Sequence, residues 1–250
     1  MPRSRDLLWD GCLNVRDLGG HPTEDGGETR FGSVVRSDSL GNLTPAGWEA
    51  LVEYGVRTVI DLRGDHEREE DPPREIPVDV RHVPFMEASD EEWEEIGAEL
   101  EALDELPVVE ATRRAYLIFL ERFKPNVANA VRGVAEAPEG GVVVYCVGGK
   151  DRTGLLTALL LHVAGVPTEE IAADYALSEE RLRPRHDAWL EAAETDAERR
   201  RLERITQTPP EVISGVFGEL ERRYGSVEGY LRDAGVSQED LELARARLRG

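Results

Sequence analysis

The sequence has few of the residues from which cross-links and metal centres are built. Two cysteines, Cys12 and Cys146, are too few for a disulfide framework, and their spacing matches no zinc motif. The five histidines are scattered along the chain and form no HExxH or similar cluster. We therefore predict no structural or catalytic metal, and we expect no cofactor.

Long apolar runs are also missing. The longest, residues 155–166, is interrupted by His162 and is shorter than the roughly 18–20 residues that a membrane-spanning helix needs. The N-terminal segment MPRSRDLLWDG lacks the apolar core of a secretory signal. We expect no membrane span and a cytoplasmic location, with secretion without a signal peptide left open.

Basic residues are in short supply. Thirty Lys and Arg stand against 51 Asp and Glu, which gives a net charge of −21. Nucleic-acid binding is disfavoured, because phosphate backbones bind to basic surfaces. An anion site in this chain must be a local positive region in a negative field. Only two of the basic residues are lysine, Lys124 and Lys150.

Short β-rich runs alternate with helical patterns along the 250 residues, which is typical of an α/β layer fold with one full core. Predicted strands cover 12–18, 33–37, 56–62, 81–85 and 141–146. Predicted helices cover 44–54, 86–105, 108–123, 126–135, a stretch from 152, then 168–175, 178–205, 210–223 and two short helices after Ser226 and Ser237. We expect one domain, 1–250, with candidate lid or cap elements at 86–123 and 178–223.

The segment GVVVYCVGGKDRTG, residues 141–154, joins an apolar strand to a helix through a tight loop. Such a junction binds anions, because successive backbone N–H groups and the helix dipole converge there. A nucleotide-binding P-loop would need a glycine at position 144 and a hydroxyl residue at position 151, where the chain has Val144 and Asp151. The spacing therefore excludes a nucleotide-binding P-loop. Cys146 and Arg152 instead fit the pattern C-x5-R.

This spacing suits a cysteine nucleophile. It brings the sulfur of Cys146 under the central atom of a bound anion, while the planar guanidinium of Arg152 reaches two of its oxygens. Gly148 and Gly149 let the backbone approach the anion without Cβ clashes. The reactive form is the thiolate, which a helix N-terminus and loop amides stabilise. The alternative for Cys146 is an inert, buried structural cysteine.

The segment CVGGKDRTG resembles the signature of cysteine-dependent protein tyrosine phosphatases. Further motifs resemble the atypical bacterial and fungal branch of that family, to which mycobacterial secreted phosphatases of broad specificity belong. These motifs are NVRDLGG (14–20), VRSDSL (35–40), VIDLRGDHERE (59–69), YALSEE (175–180) and GSVEGYL (225–231). The resemblance implies the three-layer tyrosine-phosphatase fold, a mostly parallel central sheet flanked by helices, with a helical C-terminal region.

The resemblance also implies a role for each loop residue. Cys146 would attack phosphorus and form a cysteinyl-phosphate intermediate. Asp151 would protonate the leaving oxygen and then activate water. Thr153 would hydrogen-bond the sulfur, and Lys150 would contact phosphate or a second anionic group. The residues expected to bind phosphate are Val147, Gly148, Gly149, Lys150 and Arg152.

Some assignments stay open at this point. Asp61, at the end of a predicted strand, is a second candidate for the acid, or it pairs structurally with Arg63 or a loop N–H. Asp151 could serve as a helix N-cap as well as an acid. Arg16 and Asp17 are expected to form a bracing ion pair. Tyr145 stands where the family usually has histidine, which puts the reaction rate and the pKa of Cys146 in question more than the reaction type.

We therefore expect a phosphatase acting on phosphotyrosine in proteins, with phosphoserine, phosphothreonine or other phosphomonoesters as further substrates. A phosphoinositide or inositol-phosphate phosphatase is an alternative, because Lys150 could hold an additional phosphate. An inactive phosphate-binding pseudophosphatase is another, encouraged only by Tyr145. The sequence does not indicate an oligomeric state.

Overall fold

The computed structural model describes residues 3–71 and 78–250, so the remaining positions of the expected domain 1–250 lie outside the described residues. Within those ranges, five strands form one sheet in the order β1-β2-β5-β3-β4. The strands are β1 (Arg16–Asp17), β2 (Val34–Ser37), β3 (Val56–Asp61), β4 (Asp79–His82) and β5 (Gly141–Tyr145). All neighbours pair in parallel except β1, which is antiparallel to β2.

Eleven α-helices occur in the same described ranges. They are α1 (Pro45–Glu53), α2 (Asp65–Glu70), α3 (Asp90–Glu101), α4 (Val108–Arg122), α5 (Lys124–Ala135), α6 (Arg152–Val163), α7 (Thr168–Ala192), α8 (Asp196–Ile205), α9 (Glu211–Tyr224), α10 (Val227–Asp233) and α11 (Gln238–Arg249). None of these helices is both long and apolar enough to cross a membrane.

Strand β5 lies at the centre of the sheet and is buried along its whole length. Its alternate side chains enter two separate cores, with Val142 and Val144 on one face and Val143 and Tyr145 on the other. Helices α5 and α6 pack on the first face and α1 on the second. The near-continuous valine run is therefore explained by burial on both faces, and the expected three-layer α/β architecture is confirmed.

The parallel strands also fix where the loops meet. Tyr145 at the end of β5 is in register with Ser37 at the end of β2 and with Asp61 at the end of β3. The segments that leave these three strands start side by side at one edge of the sheet. Parallel α/β sheets collect their ligand-binding groups at this edge.

The predicted strand 81–85 is only partly correct. Strand β4 pairs with β3 over Asp79–His82, two residues earlier than predicted. Beyond it, Val83 and Phe85 still donate backbone hydrogen bonds to the carbonyls of Asp61 and Leu62, at 2.9 and 3.2 Å. Pro84 lies between them and has no N–H to donate, so the regular ladder stops there.

The predicted helix boundaries in the last third are wrong at two places. No break occurs near 176–177, because α7 continues to Ala192 and passes through Pro184. The second predicted helix, 178–205, is in turn divided before α8, where the Thr195 side chain accepts a hydrogen bond from the backbone N–H of Glu198. Helix α2 was not predicted. It proves to carry a side chain of the site.

Candidate active site

The loop after β5 crosses the end of β2 at very short range. Cys146 follows the strand directly and is 2% exposed, and α6 begins at Arg152. Gly149 has a φ of +63°, and a Cβ there would lie 2.4 Å from the carbonyl oxygen of Ser37. Only glycine fits this position, because both the left-handed backbone and the close approach exclude a side chain.

Three consecutive carbonyl groups of the loop are held by the surrounding protein. Asn14 Nδ2 donates to the carbonyls of Gly148 and Gly149, each at 3.1 Å. Arg36 donates a second hydrogen bond to the Gly149 carbonyl at 2.8 Å, and the backbone N–H of Ser39 donates to the carbonyl of Val147 at 3.0 Å.

The direction of these carbonyls sets the direction of the amides. In a trans peptide, the C=O and N–H groups point to opposite sides. Carbonyls turned into the protein at Val147, Gly148 and Gly149 therefore turn the next three N–H groups toward the concave side of the loop. No group in 3–71 or 78–250 accepts a hydrogen bond from these N–H groups. The loop is thus a cup of unpaired donors suited to an anion.

A buried ion-pair network supports this cup from below. Asp174 Oδ1 accepts from Arg16 Nε at 2.9 Å, and Asp174 Oδ2 accepts from Arg36 at 2.8 Å. Arg16 also donates to Asn14 Oδ1 at 2.5 Å. Burial alone would raise the pKa of Asp174, but the two guanidinium groups outweigh it and hold the pKa below its ordinary range. Burial, with the like charge of Arg36, lowers the pKa of Arg16 to about 9.

The expected ion pair between Arg16 and Asp17 is wrong. Neighbouring residues of a strand point to opposite faces, so the two side chains diverge. Asp17 accepts hydrogen bonds from the backbone N–H groups of Gly19 and Gly32, each at 2.7 Å, and from the hydroxyl of Tyr54. The motif NVRDLGG thus braces the site through Asn14 and Arg16, and Asp17 orders a separate turn.

Arg152 is held by a residue that the sequence reasoning missed. Its guanidinium forms a bidentate pair with Glu67 of α2, with one N–O distance of 2.7 Å. Burial disfavours the charged guanidinium, but Glu67, Cys146 and Asp151 together raise the pKa of Arg152 above its ordinary value. Glu67 lies inside the motif VIDLRGDHERE, which was the available signal. Its pairing with Arg152, 85 positions away, cannot be inferred from one sequence.

Asp151 occupies the N-cap position of α6, but its side chain does not cap the helix. Its Oδ1 accepts a hydrogen bond from the Tyr116 hydroxyl at 2.6 Å, and Lys150 Nζ lies 3.4 Å from the same oxygen. The side chain is 45% exposed. A half-exposed carboxyl beside the anion cup is placed to exchange a proton with a bound molecule.

Asp61 has a different environment. It is fully buried, and its two carboxylate oxygens accept from Nε and Nη2 of Arg63 at 3.0 and 2.9 Å. The same guanidinium donates to the hydroxyl of Tyr145 at 2.9 Å. Burial and the charge of Asp61 raise the pKa of Tyr145 above its ordinary value, so the phenol stays neutral. Asp61 thus forms the ion pair with Arg63 that was one of its two expected roles.

Lys150 connects the loop to the C-terminal helices. Its Nζ donates to the backbone carbonyl of Ile205 at the end of α8, besides its contact with Asp151. Thr153 is buried, and among the described residues its Oγ1 has no hydrogen-bond partner. The expected bond from Thr153 to the sulfur of Cys146 is therefore not formed in this structure, and the hydroxyl is available to a ligand or to the sulfur.

A cavity of about 390 Å³ opens beside the cup, next to Asp151 and Arg152. Its walls come mainly from α3, α4 and the segments flanking them, with Arg204 and Ile205 of α8 at one side. The apolar side chains that line it include Met86, Leu100, Leu103, Val108, Ala115 and Phe119. Both segments predicted as candidate lids, 86–123 and 178–223, therefore contribute to this cavity. Their movement stays a prediction.

No group of three or more His, Cys, Asp and Glu side chains that could hold a metal ion is found within 3–71 and 78–250. The charged side chains around the cup include the guanidinium of Arg152, the ammonium of Lys150 and the carboxylates of Asp151 and Glu67.

Comparison with known proteins adds independent information. The profile of the family described as "Tyrosine phosphatase family" matches residues 7–250. A tyrosine-protein phosphatase of Nostoc commune is 29% identical over 235 residues, which cover 86% of this chain and 74% of that protein. The triple specificity protein phosphatase PtpB of Mycobacterium tuberculosis is 28% identical over 280 residues, which cover 96% of this chain and 98% of that protein.

Proposed function

The chain belongs to the tyrosine phosphatase family and is an enzyme that hydrolyses phosphomonoesters, and we propose that Cys146 is its nucleophile. One observation carries this proposal: Cys146 begins a loop whose carbonyls are bound by Asn14, Arg36 and Ser39, so that its N–H groups face inward. Inward donors stabilise both a thiolate and the phosphoryl group above it.

The first half of the reaction transfers the phosphoryl group to sulfur. The Cys146 thiolate attacks phosphorus, the bond from phosphorus to the leaving oxygen breaks, and Asp151 gives its proton to that oxygen. The loop amides and Arg152 bind the non-bridging oxygens, where negative charge is held in the transition state. Glu67 keeps the Arg152 guanidinium in a fixed orientation before substrate arrives.

The second half returns the enzyme to its starting state. Asp151, now a carboxylate, removes a proton from water as the water attacks phosphorus. The sulfur–phosphorus bond breaks, inorganic phosphate leaves, and the thiolate of Cys146 is regenerated. Thr153 is proposed to donate its unpaired hydroxyl to the departing sulfur, in keeping with the absence of any other partner for it among the described residues.

Phosphotyrosine is the substrate class that the cavity supports best. Its apolar walls next to Asp151 suit an aromatic leaving group, and burial of a ring there contributes affinity that a small alkyl phosphate lacks. An inositol phosphate is less well supported, because the cations at the cavity already have partners. Lys150 is bound to Ile205 and Asp151, and Arg204 donates to the backbone carbonyl of Leu106 at 2.7 Å. The name of the mycobacterial relative, triple specificity, is a reason to test phosphoserine and phosphothreonine as well.

Substitution of the two cysteines tests the proposal. Purified Cys146→Ser should lose all measurable turnover of an aryl phosphate, because serine cannot supply a thiolate. Cys12→Ser is the matched control: burial and the nearby carboxylate of Asp38 raise the pKa of Cys12 to about 12, so this thiol is not a nucleophile. Its turnover should stay within about threefold of wild type. Turnover that persists in Cys146→Ser would refute the proposal.

A second pair of variants tests the acid. Asp151→Asn should lower kcat for phosphotyrosine by about 100-fold and affect 4-nitrophenyl phosphate much less, because nitrophenolate leaves without protonation. Asp61→Asn should lower both rates by the same factor, since Asp61 pairs with Arg63 and supports Tyr145. A leaving-group-dependent loss in Asp61→Asn alone would reverse the assignment.

A further inference from the structure

Two buried tyrosines form a hydrogen-bonded chain that ends on Asp151. The hydroxyl of Tyr116, on α4, lies 2.6 Å from Asp151 Oδ1 and 2.9 Å from the hydroxyl of Tyr175, on α7. Both rings are fully buried, 6.1 Å apart and nearly perpendicular at 83°. The two phenols are therefore fixed by packing, and the chain of hydroxyls ends on Oδ1 of Asp151.

Proton counting gives this chain a direction. A carboxylate can only accept, so Tyr116 uses its single proton to donate to Asp151. The hydroxyl of Tyr175 must then donate to that of Tyr116. Burial and the neighbouring carboxylate raise the pKa of Tyr116 well above its ordinary value, so it keeps its proton throughout the reaction. The order of donation is Tyr175 to Tyr116 to Asp151.

The same contacts distinguish the two oxygens of Asp151. Oδ1 takes the hydrogen bond from Tyr116 and the contact with Lys150 Nζ at 3.4 Å. No described residue donates to Oδ2. A neutral carboxyl that accepts at Oδ1 carries its own proton on Oδ2. An aspartate at this position commonly accepts from the first turn of its helix, but here that bond is replaced by the bond to Tyr116.

We propose that Tyr116 is a positioning residue for general acid catalysis, fixing the Asp151 carboxyl so that Oδ2 presents its proton to the leaving oxygen, with Tyr175 orienting the Tyr116 hydroxyl. This inference rests on the proposed role of Asp151. Without the bond from Tyr116, the half-exposed side chain is free to rotate away or to cap α6. Loss of orientation lowers the rate of proton transfer without removing the acid.

Removal of the single hydroxyl tests the proposal. Tyr116→Phe keeps the ring, and we expect kcat for phosphotyrosine to fall about tenfold, which corresponds to one hydrogen bond to an ionisable group. For 4-nitrophenyl phosphate the fall should be less than about threefold, because that leaving group needs little protonation. Tyr175→Phe should show the same preference with a smaller loss. If Tyr116 had only a structural role, its loss would lower kcat for both substrates by the same factor.

The matched control is Tyr230→Phe. Tyr230 is also fully buried, and its hydroxyl donates to the backbone carbonyl of Leu120 at 2.7 Å, away from Asp151. This variant loses a comparable buried hydrogen bond, and its ratio of the two rates should equal that of wild type. An equal ratio in Tyr116→Phe and Tyr230→Phe would overturn the proposal.

The double variant separates this inference from the function on which it rests. In the Asp151→Asn background, Tyr116→Phe should have no further leaving-group-dependent effect, because both changes act on one proton transfer. If Asp151→Asn shows the leaving-group dependence and Tyr116→Phe does not, the positioning role is wrong and the acid assignment stands. If Asp151→Asn shows none, the acid assignment fails and the positioning role fails with it.

Discussion

Asp174 is a buried carboxylate on which the support of the anion cup depends. It pairs with Arg16 and Arg36, and all three side chains are at most 1% exposed. The substitution Asp174→Asn keeps the volume and one acceptor oxygen but removes the charge. The two guanidinium groups of Arg16 and Arg36 then stay in the interior without a counter-charge, and they repel each other.

The cost of this change follows from burial. Removal of one partner from a buried ion pair destabilises a protein by about 3–5 kcal/mol, since the remaining charge keeps its desolvation penalty. The amide oxygen of asparagine and the surviving bonds to Asn14 and Gly149 offset part of the loss. We therefore expect the free energy of unfolding of Asp174→Asn to fall by about 3 kcal/mol at pH 7.

The substitution Asp174→Asn should also lower kcat, independently of its effect on the free energy of unfolding. The bonds from Arg36 to the Gly149 carbonyl and from Asn14 to the Gly148 carbonyl both lead back to Asp174. A loop displaced by about 1 Å costs up to about 100-fold in rate. The folded fraction of the variant should therefore turn over aryl phosphate at least about tenfold more slowly than wild type.

Urea unfolding followed by tryptophan fluorescence, with kcat measured where both proteins are fully folded, checks both statements. The control is Asp233→Asn, whose carboxylate is 50% exposed and pairs with Lys124 at 2.8 Å. A half-exposed pair of this kind contributes no more than about 1 kcal/mol. The supporting role of Asp174 is refuted if Asp174→Asn is no more destabilised than Asp233→Asn, or if its kcat equals that of wild type.

Two further predictions concern the loop and the N-terminal segment. Gly149→Ala should lower kcat at least about tenfold, because φ is +63° and the new Cβ would meet a backbone oxygen. The control is Gly26→Ala, where φ is +85° but the space around the residue is open; this variant should change only the free energy of unfolding, by about 1–2 kcal/mol. Equal kcat values in the two variants would contradict this prediction. Burial lowers the pKa of His21 to about 4, below its unfolded value of about 6.5. Between these two values the unfolded state binds more protons than the folded state. The free energy of unfolding should therefore fall by about 2 kcal/mol as the pH drops from 7 to 5. In His21→Gln urea titrations this share of the pH dependence should vanish; an unchanged slope would refute it.

The sequence predicted those elements whose signals are local. Strand β5 and its loop were readable because an unbroken valine run, two glycines and the C-x5-R spacing lie within a dozen residues. Thr44 and Pro45 likewise mark the start of α1. Ser178 misled the helix assignment: serine is usual at caps, but here it lies inside α7, where its hydroxyl accepts from Arg16 at 3.2 Å. The true cap is Thr195, and threonine followed three residues later by Glu198 is a recognisable capping pattern.

The partners of the site residues were harder to predict, because they are distant in sequence. Arg16 meets Asp174 across 158 positions, and Tyr116 meets Asp151 across 35. One sequence without an alignment contains no signal for such pairs. Adjacency in sequence suggests a pair between Arg16 and Asp17, but a strand turns adjacent side chains to opposite faces. Local chemistry was thus predictable, and the tertiary support of that chemistry was not.

The anchoring of the loop carbonyls by Asn14, Arg36 and Ser39 has a consequence for protein engineering. A designer who grafts the nine residues CVGGKDRTG onto a foreign strand–helix junction would transplant the nucleophile without the scaffold that orients its amides. The transferable unit is discontinuous and includes three separate stretches of chain, together with the carboxylate of Asp174. A graft of the loop alone should yield an ordinary thiol.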